Sequence, residues 1–285
     1  MNDPDRTAQC AVLAMLFELS SSPKPGNVDR CHDFSDIGFH HFLASAVSSY
    51  PVFRKAAQGL GRPGSLILEG VQAWKDWNLS SNTHFGSLVL MIPIALAAGT
   101  ASRQGGDLES DLPEILEKTT VQDAVDFYRA FELAGARVTE VELFSLMDPG
   151  SENALCQSEK TLLELMRLSM GHDIVAREWA TNYRRSFLLA ERLAEQTEKF
   201  GLNDGVVRTF LEALAEVPDS LISAKFGPEK ARQVSRQAAQ ALADSTLEKA
   251  RQMDCDLLAR DINPGSTADL IAASLFISLL RDLRF

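Results

Sequence analysis

Apolar residues return every three or four positions along almost the whole chain, and nowhere do they alternate in the two-residue rhythm of a strand. In TAQCAVLAMLFELS (7–20), Val12, Leu13, Leu16, Phe17 and Leu19 form one broad apolar stripe, which Ser21 to Pro25 bring to an end. Stretches of the same period begin near residues 39, 65, 86, 120, 158, 173, 205, 228 and 268, the one at 228 running as a single pattern to Asp254. No β-branched and aromatic alternation bounded by hairpin turns competes with them, so the pattern predicts an all-α fold. The breakers GRPG (61–64), RQGGDLESD (103–111), MDPGSEN (147–153) and FGPE (226–229) are short, and no repeat of fixed length is present. A single multi-helix domain over 1–285 is the expectation.

With 285 residues, 45% of them apolar, the chain can bury a full core. Its net charge of −11 argues against a nucleic-acid backbone or an anionic membrane surface as partner. A small phosphorylated ligand remains compatible, because a few clustered cations suffice to hold one. Cys10, Cys31, Cys156 and Cys255 are widely separated and have no zinc-site spacing. The start MNDPDRTAQ is acidic and polar, unlike a signal peptide, and FGSLVLMIPIALAAG (85–99) is short for a bilayer span and contains Pro93. These features predict a cytoplasmic protein with no membrane partner.

Four polar clusters interrupt the apolar pattern, each at a helix boundary: SSPKPGNVDRCHDF (21–34) and its continuation, SSNTHFGS (80–87), VPDSLISAKFG (217–227) and INPGSTADL (262–270). Three of them have simple readings as helix ends. Ser266 and Asp269 have capping-box spacing, Asn82 or Thr83 is a natural N-cap, and Lys225 followed by Gly227 suits a helix C-terminus. The first cluster exceeds what a turn needs. Asp29, His32, Asp33 and Asp36 fall within eight residues, flanked by Lys24 and Arg30, and Gly26 after Pro25 allows the backbone to bend tightly and approach a ligand. Carboxylates this close can share Mg2+, or one of them can act as a general base. His32 and His84 lie in polar clusters, whereas His40 and His41 are adjacent and point in different directions on a helix. Asp173 and Arg177 have the spacing of an i,i+4 ion pair, with Asn182 further along the same pattern. No zincin, nucleophile-elbow, Walker A or dinucleotide-binding motif occurs.

Taken in order, SPKPGNVDR after a helix ending in ELS, NTHFGS, PDSLISAKFG and NPGSTADLIAAS resemble the triphosphoribosyl-dephospho-CoA synthase family over most of the chain. The resemblance implies an all-α transferase that displaces adenine from ATP and joins the triphosphoribosyl group to the 2′-hydroxyl of 3′-dephospho-CoA. It implies Mg2+ held by Asp29, Asp33, Asp36 and Asp269, with Asp29, Asp33, Asp36 and His32 as catalytic candidates. Lys24, Gly26, Arg30, Asn82, Thr83, His84, Lys225 and Ser266 become candidates for holding the nucleotide. The chain departs from the better-known bacterial pattern at Phe85, where those members tend to carry lysine, and in the spacing of His32-Asp33-Phe34-Ser35-Asp36. In this it looks more like an archaeal and methylotroph branch, for which an acceptor in tetrahydromethanopterin- or methanofuran-type C1-cofactor synthesis is the alternative. A third reading, from another class, is a non-enzymatic helical binding protein. The amphipathic stretch 228–252 suits packing within the chain or a homo-oligomer interface.

Overall fold

The computed structural model describes residues 3–33, 37–79, 83–135 and 159–285. Among them there is no strand; regular structure is helical, and the one β-bridge joins Asp29 to His32. The all-α expectation holds. The chain divides into two compact units, each assembled from two stretches: Met1–Leu13 with Leu43–Arg184, and Ala14–Phe42 with Arg185–Phe285. Helix α1 (Pro4–Ser20) ends where the sequence pattern places its end, and contributes to both units.

The first unit contains α3 (Tyr50–Ala57), α4 (Pro63–Lys75), α5 (Phe85–Gln104), α6 (Leu108–Glu117), α7 (Val121–Ala134), α8 (Leu162–Ser169) and α9 (Ile174–Ala180), together with most of α2 (Phe39–Ser48). Helix α5 is apolar on every side and is its central helix, with nearly every residue from Phe85 to Gly99 buried. By length and composition it could cross a bilayer, but 78% of its most apolar window is buried inside the protein. Pro93 sits within this helix rather than ending it. Proline lacks the N–H that would bond to the carbonyl four residues back. That carbonyl belongs to Val89, and the indole Nε1 of buried Trp179 donates to it at 3.3 Å. Close approach elsewhere depends on glycine: a Cβ on Gly99 would stand 2.0 Å from the Ala57 carbonyl oxygen, and one on Gly64 would stand 2.2 Å from that of Asp123.

The second unit contains α10 (Arg184–Glu216), which bends at Gly201, α11 (Ser220–Phe226), α12 (Pro228–Leu242), α13 (Glu248–Leu258) and α14 (Gly265–Leu280). Its centre is α14, buried continuously from Leu270 to Leu279. The 228–254 pattern is two helices, not one. Between them the Asp244 carboxylate accepts from the Thr246 and Lys249 N–H groups, and Leu247 adopts φ 60°. A local side-chain bond to the backbone thus overrides an otherwise continuous helical pattern. The break places Asp254 in the middle of α13, where it faces the loop after α1.

Candidate active site

The loop from Ser21 to Asp29 is rich in proline, glycine and charge, yet almost all of it is buried. Its backbone is held from three directions within the second unit. The Asn203 side chain on α10 accepts from Ser22 N–H at 3.0 Å and donates to the Ser22 carbonyl at 2.9 Å. Gly26 N–H donates to Asp254 Oδ1 on α13 at 2.9 Å. Lys24 is fully buried, pairs with Glu18 on α1 at 3.0 Å and donates to the Val28 carbonyl at 3.3 Å. These bonds satisfy polar groups that burial would otherwise leave costly. Gly26 is needed because φ is +78° and a Cβ there would stand 2.3 Å from the Ile262 carbonyl oxygen. The close approach expected of Gly26 is therefore to this chain's own backbone.

This packing brings Asp29, His32 and Asp254 together, with one ligand atom from each lying within 4.8 Å of the others. His32 Nδ1 lies 3.3 Å from Asp254 Oδ2 and 3.6 Å from Asp29 Oδ1. Nδ1 has no hydrogen-bond partner among the described residues. Asp29 is 1% exposed. Its Oδ1 accepts from Cys31 N–H at 2.7 Å, but its Oδ2 is buried with no donor among the described residues. Three carboxylates, Glu18, Asp29 and Asp254, thus share the buried charge of Lys24 and a half-buried imidazole. Burial pushes the Glu18 and Asp254 carboxyls above the ordinary range, Lys24 and Gly26 respectively oppose the shift most, and the charge of Asp29 adds to it. A cation placed among these oxygens would relieve both the charge excess and the orphaned Oδ2.

The remaining sequence candidates fall in several places. Asp33 is exposed and its Oδ1 accepts from Phe39 N–H at the start of α2. Arg30 is exposed and donates to Asn203 Oδ1. Lys225 lies in the last turn of α11 before Gly227, as its sequence context indicates, and pairs with Asp261 at 2.6 Å. Thr83 and His84 belong to the first unit; His84 is buried, and its Nδ1 is 2.7 Å from Ser45 Oγ. Asp36 and Asn82 lie outside the described residues.

The capping box expected of Ser266 and Asp269 is absent, because α14 already begins at Gly265 and its N-cap is Pro264. Ser266 Oγ accepts instead from Ser220 Oγ at 2.9 Å, and Asp269 is half-buried on the first turns of α14. The capping is done from a distance by Asp219. Its Oδ1 takes the N–H groups of Leu221 and Ile222, and its Oδ2 takes the N–H and hydroxyl of Thr267, so one buried carboxylate caps α11 and α14 together. Asp173 likewise caps α9, and Arg177 donates to the Met170 and Gly171 carbonyls rather than completing an i,i+4 pair. Asn182 lies beyond the end of α9, in a turn with φ 54°. Glu18, Asn203, Asp219 and Asp254 are the functional-looking residues that sequence reasoning missed. Asp219, inside PDSL, and Glu18, inside the helix end ELS, lay in stretches already quoted, but neither was named as a candidate.

The model of a family described as ATP:dephospho-CoA triphosphoribosyl transferase matches residues 4–284. The chain belongs to this family. It is therefore a transferase, and the reading as a non-enzymatic helical binding protein falls away. Among its relatives, a protein of Streptococcus equi subsp. equi named "Probable 2-(5''-triphosphoribosyl)-3'-dephosphocoenzyme-A synthase" is 25% identical, with 98% of this chain and 97% of that one covered. A protein of the same name from Pseudomonas putida is 27% identical, with 96% and 94% covered. A crystal structure named for triphosphoribosyl-dephospho-CoA synthase from Archaeoglobus fulgidus superposes with a TM-score of 0.70 at 27% identity, covering 85% of this chain and all of that one.

Proposed function

We propose that this transferase moves the triphosphoribosyl group of ATP to the 2′-hydroxyl of 3′-dephospho-CoA, with a divalent cation, Mg2+ in the simplest case, at Asp29 and Asp254. The family match over residues 4–284 supports the reaction, and the orphaned, buried Asp29 Oδ2 is the observation that carries the site. Because the family model runs through both units, we read residues 1–285 as one functional domain, working in the cytoplasm where ATP is available.

The reaction breaks the bond between adenine and ribose C1′ and forms a bond from the acceptor oxygen to C1′. The proton leaving the acceptor hydroxyl is balanced by the proton adenine takes up. A cation at this site would neutralise triphosphate oxygens. The chain's own contribution there is positional: Asp29 and Asp254 are the carboxylates that would hold the cation, which offsets their charge and leaves its remaining positions to phosphate oxygens. Arg30, exposed at the rim of the loop, is available to phosphate oxygens. Asp33, the solvent-facing carboxylate of the same loop, is available to receive the hydroxyl proton. Lys24 is assigned to holding Glu18 and the loop, not to the nucleotide.

The test is chromatography of mixtures of the protein with ATP and Mg2+, with and without dephospho-CoA. Free adenine appearing only when dephospho-CoA is present supports the proposal. ATP binding without adenine release favours the second reading, a C1-cofactor precursor as acceptor. One observation favours that alternative: Phe85 is packed at 5.7 Å against Phe127 and against Phe131 inside the first unit, so no charge is presented at this position.

A further inference from the structure

The donor set of the Asp29 cluster is not that of a typical magnesium site. Mg2+ is a hard ion that prefers oxygen and retains several waters, whereas imidazole nitrogen suits the borderline first-row ions. Two carboxylates and one imidazole converge here, and the imidazole atom facing the carboxylates is Nδ1, which is itself buried although 40% of the His32 side chain is exposed. The spacings of 3.3 and 3.6 Å from Nδ1 to the two carboxylate oxygens are near the ~3 Å expected between neighbouring ligands of one ion with ~2.1 Å bonds. Asp29 supplies the second observation, since its Oδ2 is buried and has no donor among the described residues.

The supports of these ligands are also built in. Gly26 N–H bonds the free side of Asp254, and Cys31 N–H bonds Asp29, so both carboxylates are oriented before any ion arrives. His32 is fixed by its backbone, which exchanges hydrogen bonds with that of Asp29: Asp29 N–H to the His32 carbonyl at 3.1 Å and His32 N–H to the Asp29 carbonyl at 3.3 Å. The β-bridge therefore sets the angle between the two side chains.

We propose that Asp29, His32 and Asp254 bind a borderline divalent cation in preference to Mg2+, with His32 Nδ1 as the ligand that discriminates. This rests on the cation site proposed above and specifies which class of ion it takes. The probe is Mn2+ alone, added to the full chain without nucleotide and followed by electron paramagnetic resonance, with Mg2+ as competitor. One Mn2+ should bind, Mg2+ should displace it only at about tenfold or more higher concentration, and the bound spectrum should carry a 14N coupling. His32→Ala should abolish that coupling and weaken Mn2+ about tenfold or more while changing Mg2+ binding much less; His32→Asp, an all-oxygen set, should bring the two ions level or reverse them. Circular dichroism of both variants reports whether the helical fold is retained. Equal Mn2+ and Mg2+ affinities that are insensitive to His32, or bound Mn2+ without nitrogen coupling, would overturn the selectivity and leave the cation site standing. If the native chain binds neither ion, or Asp29→Asn binds them unchanged, the cation site itself fails and the selectivity with it.

Discussion

Asp123 in the first unit and Asp29 in the second are equally buried, at 0% and 1% exposure, but only one is saturated. Asp123 accepts from the N–H groups of Gly64 and Thr120 and from the Thr120 hydroxyl, and the Arg62 guanidinium approaches it at 3.5 Å. Asp219 repeats this pattern in the second unit, with four donors on two oxygens. Among the described residues Asp29 has one donor, and it shares its surroundings with two further carboxylates. A buried carboxylate surrounded by donors is part of the architecture, because every bond it makes joins one element to another. One left short of donors is costly to bury, and the cost is understandable if a ligand completes it.

The contrast is tested most directly by removing each charge. Asp29→Asn should lower turnover by about a thousandfold, equivalent to ~4 kcal/mol of transition-state stabilisation, while unfolding free energy stays within ~1 kcal/mol of the native value or rises. Asp123→Ala should do the reverse. It strands several donors and should cost about 3 kcal/mol in urea unfolding, with turnover per folded molecule little changed. Equal stability losses at the two positions would erase the distinction between them.

Lys24 sharpens the comparison from the other side, because it is the buried cation within the charge-rich cluster. Lys24→Met removes the buried cation that pairs with Glu18 and lies near Asp29 and Asp254, and should cost about 3 kcal/mol. Mn2+ or Mg2+ should restore part of that loss by raising the thermal midpoint of the variant more than that of the native chain. A cation that stabilises both equally would show that the ion binds away from the cluster.

Much of the fold was legible because helical period and local breakers report it directly: α1 stops at Ser20 and α11 ends at Lys225-Phe226-Gly227 where the residues indicate. The site was half legible. Asp29 and His32 stand out because a turn does not need them, whereas Glu18 is hidden in a helical stripe and Asp254 lies in an ordinary amphipathic helix 225 residues from Asp29. No local pattern encodes that pairing. The loop's burial was illegible for a related reason: the sequence shows its proline, glycine and charged residues but not that Asn203, Asp254 and Glu18 come to satisfy them. Ser266 and Asp269 misled because their spacing fits a capping box, while the donors at the start of α14 are taken by Asp219, 48 residues upstream of Thr267.

Asp244 supplies the smallest effect and isolates what donors do without full burial. It is only half-buried, and hydrogen bonds from the N–H groups of Lys249 and Thr246 and from the Thr246 hydroxyl hold its carboxyl down at about 2. Its folded value is below the unfolded one, so its stabilising contribution is complete above the ordinary carboxylate range and disappears as pH falls through about 2. Asp244→Asn should therefore flatten the acid limb of the stability profile between roughly pH 4 and pH 2 and leave adenine release at neutral pH unchanged. The same unit would then hold a carboxylate pulled down by donors at a helix junction and two pushed up by burial beside Asp29. An acid limb identical in the variant and the native chain would mean that the Asp244 bonds do not outlast competition with water, and that donor count alone does not separate architecture from site.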